Sequence, residues 1–166
     1  MDRPFHIRPF SASDVEPLRE LRNEIIRDTF FIYENNLWDI KDAENWYAEL
    51  EREGRLGFTA EVSGQFVGCC YSSFFRRVSA SRGIAELSIY MRSDFRKMGM
   101  AQALIAAMEV SLKQNDYYGL VAVIDSENLS AIRLFEGLMF AHVGVIEKAA
   151  LLRGNWRHAK IFQKII

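Results

Sequence analysis

A strand-like run, Ala85 to Met91, gives way within a few residues to a helix-like run, Ala101 to Lys113. The joint between them reads Arg96-Lys97-Met98-Gly99-Met100-Ala101. A chain that turns from strand to helix so abruptly leaves several backbone N–H groups at the helix start without a partner. Those donors and the positive end of the helix dipole form a ready site for a phosphate or pyrophosphate. Gly99 lets the backbone approach a ligand and tolerates positive φ. Arg96 and Lys97 add mobile positive charge at the rim. The alternative is an ordinary strand-to-helix loop that is basic by chance, and the segment alone leaves both readings open.

At 166 residues the chain fits one domain, residues 1–166, able to bury a core without staples. Its 21 Lys+Arg against 22 Asp+Glu argue against nucleic acid as the main partner, because neutralising phosphates needs a basic excess. Cys69 and Cys70 are adjacent in a strand-like run, so they point to opposite faces and do not share a metal. No other His/Cys spacing suggests zinc, and no metal is expected. The N-terminus lacks the build of a signal peptide, and the apolar runs are too short for a membrane span. The expectation is a cytoplasmic domain with no membrane partner.

His6 to Phe10 reads as a first strand, and Ser13 with Glu16 as a capping box opening a helix along Val15, Leu18, Leu21, Ile25 and Ile26. Thr29 to Trp38 is aromatic and without period, and a second helix runs from about Asp42 to Glu53. Phe58 to Val62, Ser63-Gly64 and Gln65 to Phe75 form a hairpin, followed by a polar loop, Arg76 to Gly83. After the central strand and helix, Gly119 to Ile124 is a buried strand, and Asn128 caps a helix through Leu138. Phe140 to Ile146 and Trp156 to Ile165 close the chain as strands around a Gly154-Asn155 turn. The order β-α-α-β-β-β-α-β-α-β-β implies an α/β or α+β sheet with helices on its faces.

That order, with Arg96-x-x-Gly99-x-Ala101 after the fourth strand, resembles the GCN5-related N-acetyltransferase (GNAT) superfamily, whose corresponding turn holds the pyrophosphate of acetyl-coenzyme A. The resemblance covers nearly the whole chain and includes Ile7-Arg8-Pro9 with Asp14. It is closest to the phosphinothricin (methionine sulfoximine/sulfone) acetyltransferase branch. Three stretches carry that likeness: Ala85 to Met91 with Glu86, Val121 to Ile124 with Asn128 and Ser130 to Glu136, and Gly154-Asn155-Trp156. The resemblance implies a mixed sheet of about six to seven strands, helices on both faces, and a splay between the fourth and fifth strands that a bulge often produces. It also implies acetyl-CoA as donor, direct attack by an amine in a ternary complex, and a homodimer. Phe30, Phe31, Trp38 and Phe74 are candidates for the dimer interface.

Glu86 is the candidate general base, because a carboxylate in an apolar strand should be desolvated toward neutral pKa; a solvent-facing strand Glu is the bland alternative. The resemblance assigns the backbone of Ile89, Tyr90 and Met91 to the pantetheine, and Arg96, Lys97, Met98, Gly99, Met100 and Ala101 to the pyrophosphate. Asn128 either bonds the pantetheine arm or caps its helix. Phe31, Tyr33, Arg76 and His158 are candidates for the acceptor pocket, and an acceptor carboxylate would want Arg76 or Arg77. Three positions depart from the branch. Its Leu-His-Glu reads Leu134-Phe135-Glu136, its Trp-x-Asp reads Trp156-Arg157-His158, and its basic loop reads Arg76-Arg77-Val78-Ser79-Ala80-Ser81. All three fall on the acceptor side. The leading expectation is therefore an N-acetyltransferase acting on a small primary amine, such as an amino acid or analogue. A protein N-terminal acetyltransferase and a catalytically weak acyl-CoA-binding module are the alternatives.

Overall fold

The computed structural model describes residues 4–166. Seven strands form one sheet: β1 Phe5–Pro9, β2 Gly57–Val62, β3 Gln65–Phe74, β4 Ile84–Met91, β5 Gly119–Asp125, β6 Ala141–Leu152 and β7 Asn155–Ile165, in the order β1-β2-β3-β4-β5-β7-β6. β4 and β5 pair in parallel and all other neighbours are antiparallel. Four α-helices accompany it: α1 Val15–Asp28, α2 Ile40–Arg52, α3 Met100–Gln114 and α4 Leu129–Gly137.

The helices divide between the two faces because their apolar stripes do. Leu104, Ile105, Met108 and Leu112 recur at helical spacing on α3 and pack with Ile132 and Phe135 of α4 against Leu120, Ala122, Ile124 and Phe162. Leu18 of α1 and Leu50 of α2 cover the other face at Cys69 and Tyr71. The adjacent cysteines thus point into separate cores, as strand alternation requires, and burial pushes both thiols up, Cys70 to about 12. Neither is poised as a nucleophile.

Two boundaries differ from the sequence expectation. The chain turns into α1 at Ser11 rather than Ser13, and Asp14 is the reciprocal partner, its carboxylate accepting the Ser11 N–H at 2.9 Å. Asp14 prevails because its carboxylate also accepts both Arg8 Nη groups at 2.7 Å and the Thr59 hydroxyl at 3.0 Å. The last hairpin is longer than its apolar pattern suggested. β6 runs on to Leu152 past an irregularity between Ile146 and Ala150, and Arg153 (φ 47°) and Gly154 (φ 79°) make the turn. The bulge hides the alternation from which a strand is read.

Burial pushes the Asp14 carboxyl up, but Arg8, the Ser11 N–H and Thr59 together hold it below the usual carboxylate range. Its stabilising contribution is present above the unfolded-state pKa and is lost as pH falls through the lower folded-state value. Asp14→Ala should cost about 2–4 kcal/mol at neutral pH, because it removes one of the two carboxylates on Arg8 and leaves the Ser11 N–H and the buried Thr59 hydroxyl without their acceptor. Urea denaturation should show this as a lower midpoint with an unchanged slope, and the gap to the parent should shrink below about pH 4.

Candidate active site

β4 and β5 pair only at Ile84, Ala85 and Glu86, opposite Gly119, Leu120 and Val121. Both strands continue, β4 to Met91 and β5 to Asp125, but no longer as partners. On its other edge β4 stays in unbroken register with β3, from Phe74↔Ala85 to Gly68↔Met91. The splay expected here is present, without a bulge in β4; the strands simply diverge. Arg92 donates its N–H to Val67 on the β3 side at 2.9 Å. Antiparallel alternation then turns the backbone groups of Leu87, Ile89 and Met91 toward the gap. Gly68 holds this edge in place, since a Cβ there would lie 2.5 Å from the Tyr90 carbonyl and 2.3 Å from Met91 Sδ.

The gap opens into a cleft of about 550 Å³. Its end wall is the start of α3. Lys97 (φ 62°) and Gly99 (φ 80°) both adopt left-handed backbone, and no side chain caps the helix. Among the described residues, the N–H groups from Lys97 to Gln102 donate to no acceptor. Successive unpaired donors on such a curl form an anion nest, reinforced by the helix dipole. Arg96, Lys97, Gly99, Met100 and Ala101 line the cleft, as do Ile89, Tyr90 and Met91. Met98 does not line it; its side chain packs on the core beneath the turn.

Asn128 also lines the cleft and caps α4, its Oδ1 accepting the Ala131 N–H at 3.2 Å. That bond uses only the carbonyl, and the amide NH₂ has no partner among the described residues. The cap and a ligand contact therefore do not exclude each other. Sequence reasoning missed Arg133, Ser130 and Leu134 on the cleft face of α4, and Ile25 and Ile32 opposite. The three-residue spacing of Ser130 and Arg133 was a usable signal; the approach of Ile25 was not, because it depends on how α1 lies over the sheet.

Glu86 sits at the last paired position before the strands part. It does not line the cleft itself but shares a strand face with Ser88 and Tyr90, which leads into it. Its carboxylate makes no hydrogen bond or ion pair among the described residues, and burial alone pushes its pKa up. On the same face of β5 lie Val121, Val123 and Asp125. Asp125 is buried against Arg157 of β7, at 2.9 Å to Nε and 2.6 Å to Nη2.

The acceptor-side candidates are dispersed. Phe31 lines the cleft. Tyr33 is half-buried, its hydroxyl donating to the His158 carbonyl at 2.8 Å, and burial and Asp125 push its pKa up. The His158 ring takes the alternate face of β7 from Arg157 and meets the Lys148 N–H at 3.4 Å, so the structure does not bring it to Glu86. Arg76 is exposed on its loop, while Arg77 turns away to Glu53 at 2.7 Å. Phe135, where the branch carries His, is buried edge-on against Phe140 and faces the core.

Because the folded-state pKa of Glu86 is raised, its contribution to stability is full below the unfolded-state pKa and is lost as pH rises through the raised value. Glu86→Gln should therefore melt about 2–4 °C above the parent at pH 7, with the difference closing below pH 4. Calorimetric scans across that range would check it; equal melting temperatures at pH 7 would contradict the desolvated carboxylate.

Residues 18–140 match the model of the acetyltransferase (GNAT) family. A phosphinothricin N-acetyltransferase of Streptomyces viridochromogenes is 24% identical over 98% of this chain and 88% of its own. The crystal structure of a ribosomal-protein-alanine N-acetyltransferase from Brucella melitensis superposes with a TM-score of 0.92 at 27% identity, covering 97% of this chain and 99% of that one. A phosphinothricin acetyltransferase from Sinorhizobium meliloti, solved with acetyl-CoA, gives 0.92 at 23% identity over 100% of this chain and 89% of that one. The parted strands, the nest at the start of α3 and the extent of these matches agree, and the chain belongs to the acetyltransferase (GNAT) family.

Proposed function

We propose that the protein transfers the acetyl group of acetyl-CoA to the primary amine of a small molecule, an amino acid or analogue being the first class to test. The observation that carries this reading is the parted β4–β5 pair with the open N–H nest at its mouth. The nest from Lys97 to Gln102, with Arg96 and Lys97, takes the pyrophosphate. The free backbone edge of Ile89 and Met91 pairs with the pantetheine amides, and the Asn128 amide is within the same cleft. Glu86 accepts the amine proton, directly or through water, and its raised pKa suits a base working near neutrality. The neutral amine attacks the thioester carbonyl, the C–N bond forms, and coenzyme A leaves as the thiolate. No acyl-enzyme is involved, in keeping with two inert buried cysteines.

The protein N-terminal reading draws on the Brucella relative, but the acceptor side here is roofed. Tyr33 bonds the last hairpin, and Asn35 Nδ2 donates to the Leu151 carbonyl at 3.2 Å. A homodimer belongs to the proposal too, with its contact moved from the aromatic segment. Phe30 and Trp38 are covered by arginines within the chain, whereas Val143, Val145 and Ile146 stand exposed on edge strand β6.

Thiol release from acetyl-CoA across an amine panel tests the activity. Glu86→Gln should lower kcat about 10²–10⁴-fold with an unchanged acetyl-CoA Kd. Binding without turnover across the panel would leave only an acyl-CoA-binding module. Gly99→Val should instead raise the acetyl-CoA Kd roughly tenfold, because a β-branched residue at φ 80° costs about 1–2 kcal/mol.

A further inference from the structure

The apolar stripe of α1 is wider than the core requires. Leu18, Leu21 and Ile26 are buried, whereas Ile25 is only part-buried and lines the cleft. The chain leaving α1 adds two further apolar liners, Phe31 and Ile32. Thr29 ties this wall together: its hydroxyl donates to the Ile25 carbonyl at 2.7 Å and accepts the Phe31 N–H at 3.0 Å. Ile32 is 8% exposed, so the wall is built into the fold rather than draped over it.

These liners lie across the sheet from the N–H nest. α3 and α4 cover one face, and α1 covers the other at Cys69 and Tyr71. Tyr71 is the register partner of Ser88 and Cys69 that of Tyr90, so Glu86, Ser88 and Tyr90 lie on the α1 face. A single cleft is lined from both faces, as the parting of β4 from β5 allows. With the donor in the nest and along β4, the wall left on the Glu86 face is Ile25, Phe31, Ile32 and the Tyr90 ring. The first three have no side chain able to hydrogen-bond, and the Tyr90 hydroxyl already lies 3.4 Å from that of Tyr71. Among the described residues no acidic side chain lines the cleft, whereas Arg96, Lys97 and Arg133 do.

We infer that the acceptor is an amino acid with an uncharged, apolar side chain, laid on the wall of Ile25, Phe31 and Ile32. The inference deepens the proposed function and rests on its placing of acetyl-CoA in the cleft. A polar tip on that side chain gives up water against the wall and finds no donor or acceptor to replace it. The loss corresponds to roughly ten- to hundredfold in affinity. A cationic tip fares no better, with cations and no carboxylate along the cleft. The charged phosphinate of phosphinothricin is likewise the wrong tip for this wall.

L-Norleucine, L-methionine, L-methionine sulfone and L-glutamine share the amino-acid end, differ at the tip and form the test. Their Kd values are measured on the full chain loaded with coenzyme A, so that no transfer occurs, and thiol release is followed separately with acetyl-CoA. Norleucine and methionine should bind about tenfold or more tighter than the sulfone and glutamine. Equal binding of all, tighter binding of the sulfone or glutamine, or binding of none would each overturn the inference. The expected order without thiol release would support it while sinking the proposed transfer. Faster thiol release from butyryl-CoA than from acetyl-CoA would mean that the wall receives the donor's acyl chain, and would overturn it too. Ile25→Gln and Phe31→Gln, at part-buried and exposed positions, should each narrow the norleucine-to-sulfone preference by about threefold or more. A preference unchanged in both variants would overturn the wall as the acceptor site.

Discussion

The rest of the site depends on a parallel strand pair that is only three residues long. Beyond Glu86 the sheet gives up ladder hydrogen bonds in its centre, where unpaired backbone groups are expensive unless something else meets them. Two features let the strands part without the sheet falling open. β3 holds β4 in register through Met91, with Gly68 small enough to admit the Tyr90 carbonyl. β7 holds β5 in register from Gly119 to Asp125. Each half of the sheet is complete on its outer side, and the deficit is confined to one gap. That gap has the pattern an extended ligand with its own amides would complete.

The mouth of the gap is set by the start of α3. Six successive N–H groups without acceptors would be a defect in a helix buried elsewhere. Here all but Met98 belong to residues that line the cleft, beside Arg96 and Arg133, so a defect in packing terms becomes a donor array suited to an anion. Glu86 makes no ion pair among the described residues, while Arg157 is held by Asp125 and Glu127 and Arg22 by Glu34. The two ends of the proposed site thus differ in charge: open N–H donors at one, a lone carboxylate at the other.

Between them the aromatic segment acts as a strap. Asn23 exchanges two hydrogen bonds with the Trp38 backbone, at 2.8 and 2.9 Å, and fixes one end to α1. Arg153, Asn35 and Tyr33 fix the rest to the β6–β7 hairpin. This explains why the segment showed no period. Tyr33 and Asn35 answer to contacts more than a hundred positions away in sequence, and Glu34 and Trp38 to α1, not to a local helix or strand. The side of the sheet that His158 takes was likewise not readable locally. The composition of Trp156-Arg157-His158 was readable, but which of the three faces the site follows from strand alternation, and it is Arg157 that meets Asp125.

What the sequence determined by itself was the set of elements and the strand-to-helix joint whose N–H groups open onto the cleft. Apolar periodicity and turn residues act over a few positions, and the Arg96-to-Ala101 joint carries its N–H donors wherever the helix it begins is placed. Tertiary structure alone decided where β4 and β5 part and which cations are already paired. Those outcomes come from burial and charge pairing between distant segments, and no local pattern encodes them.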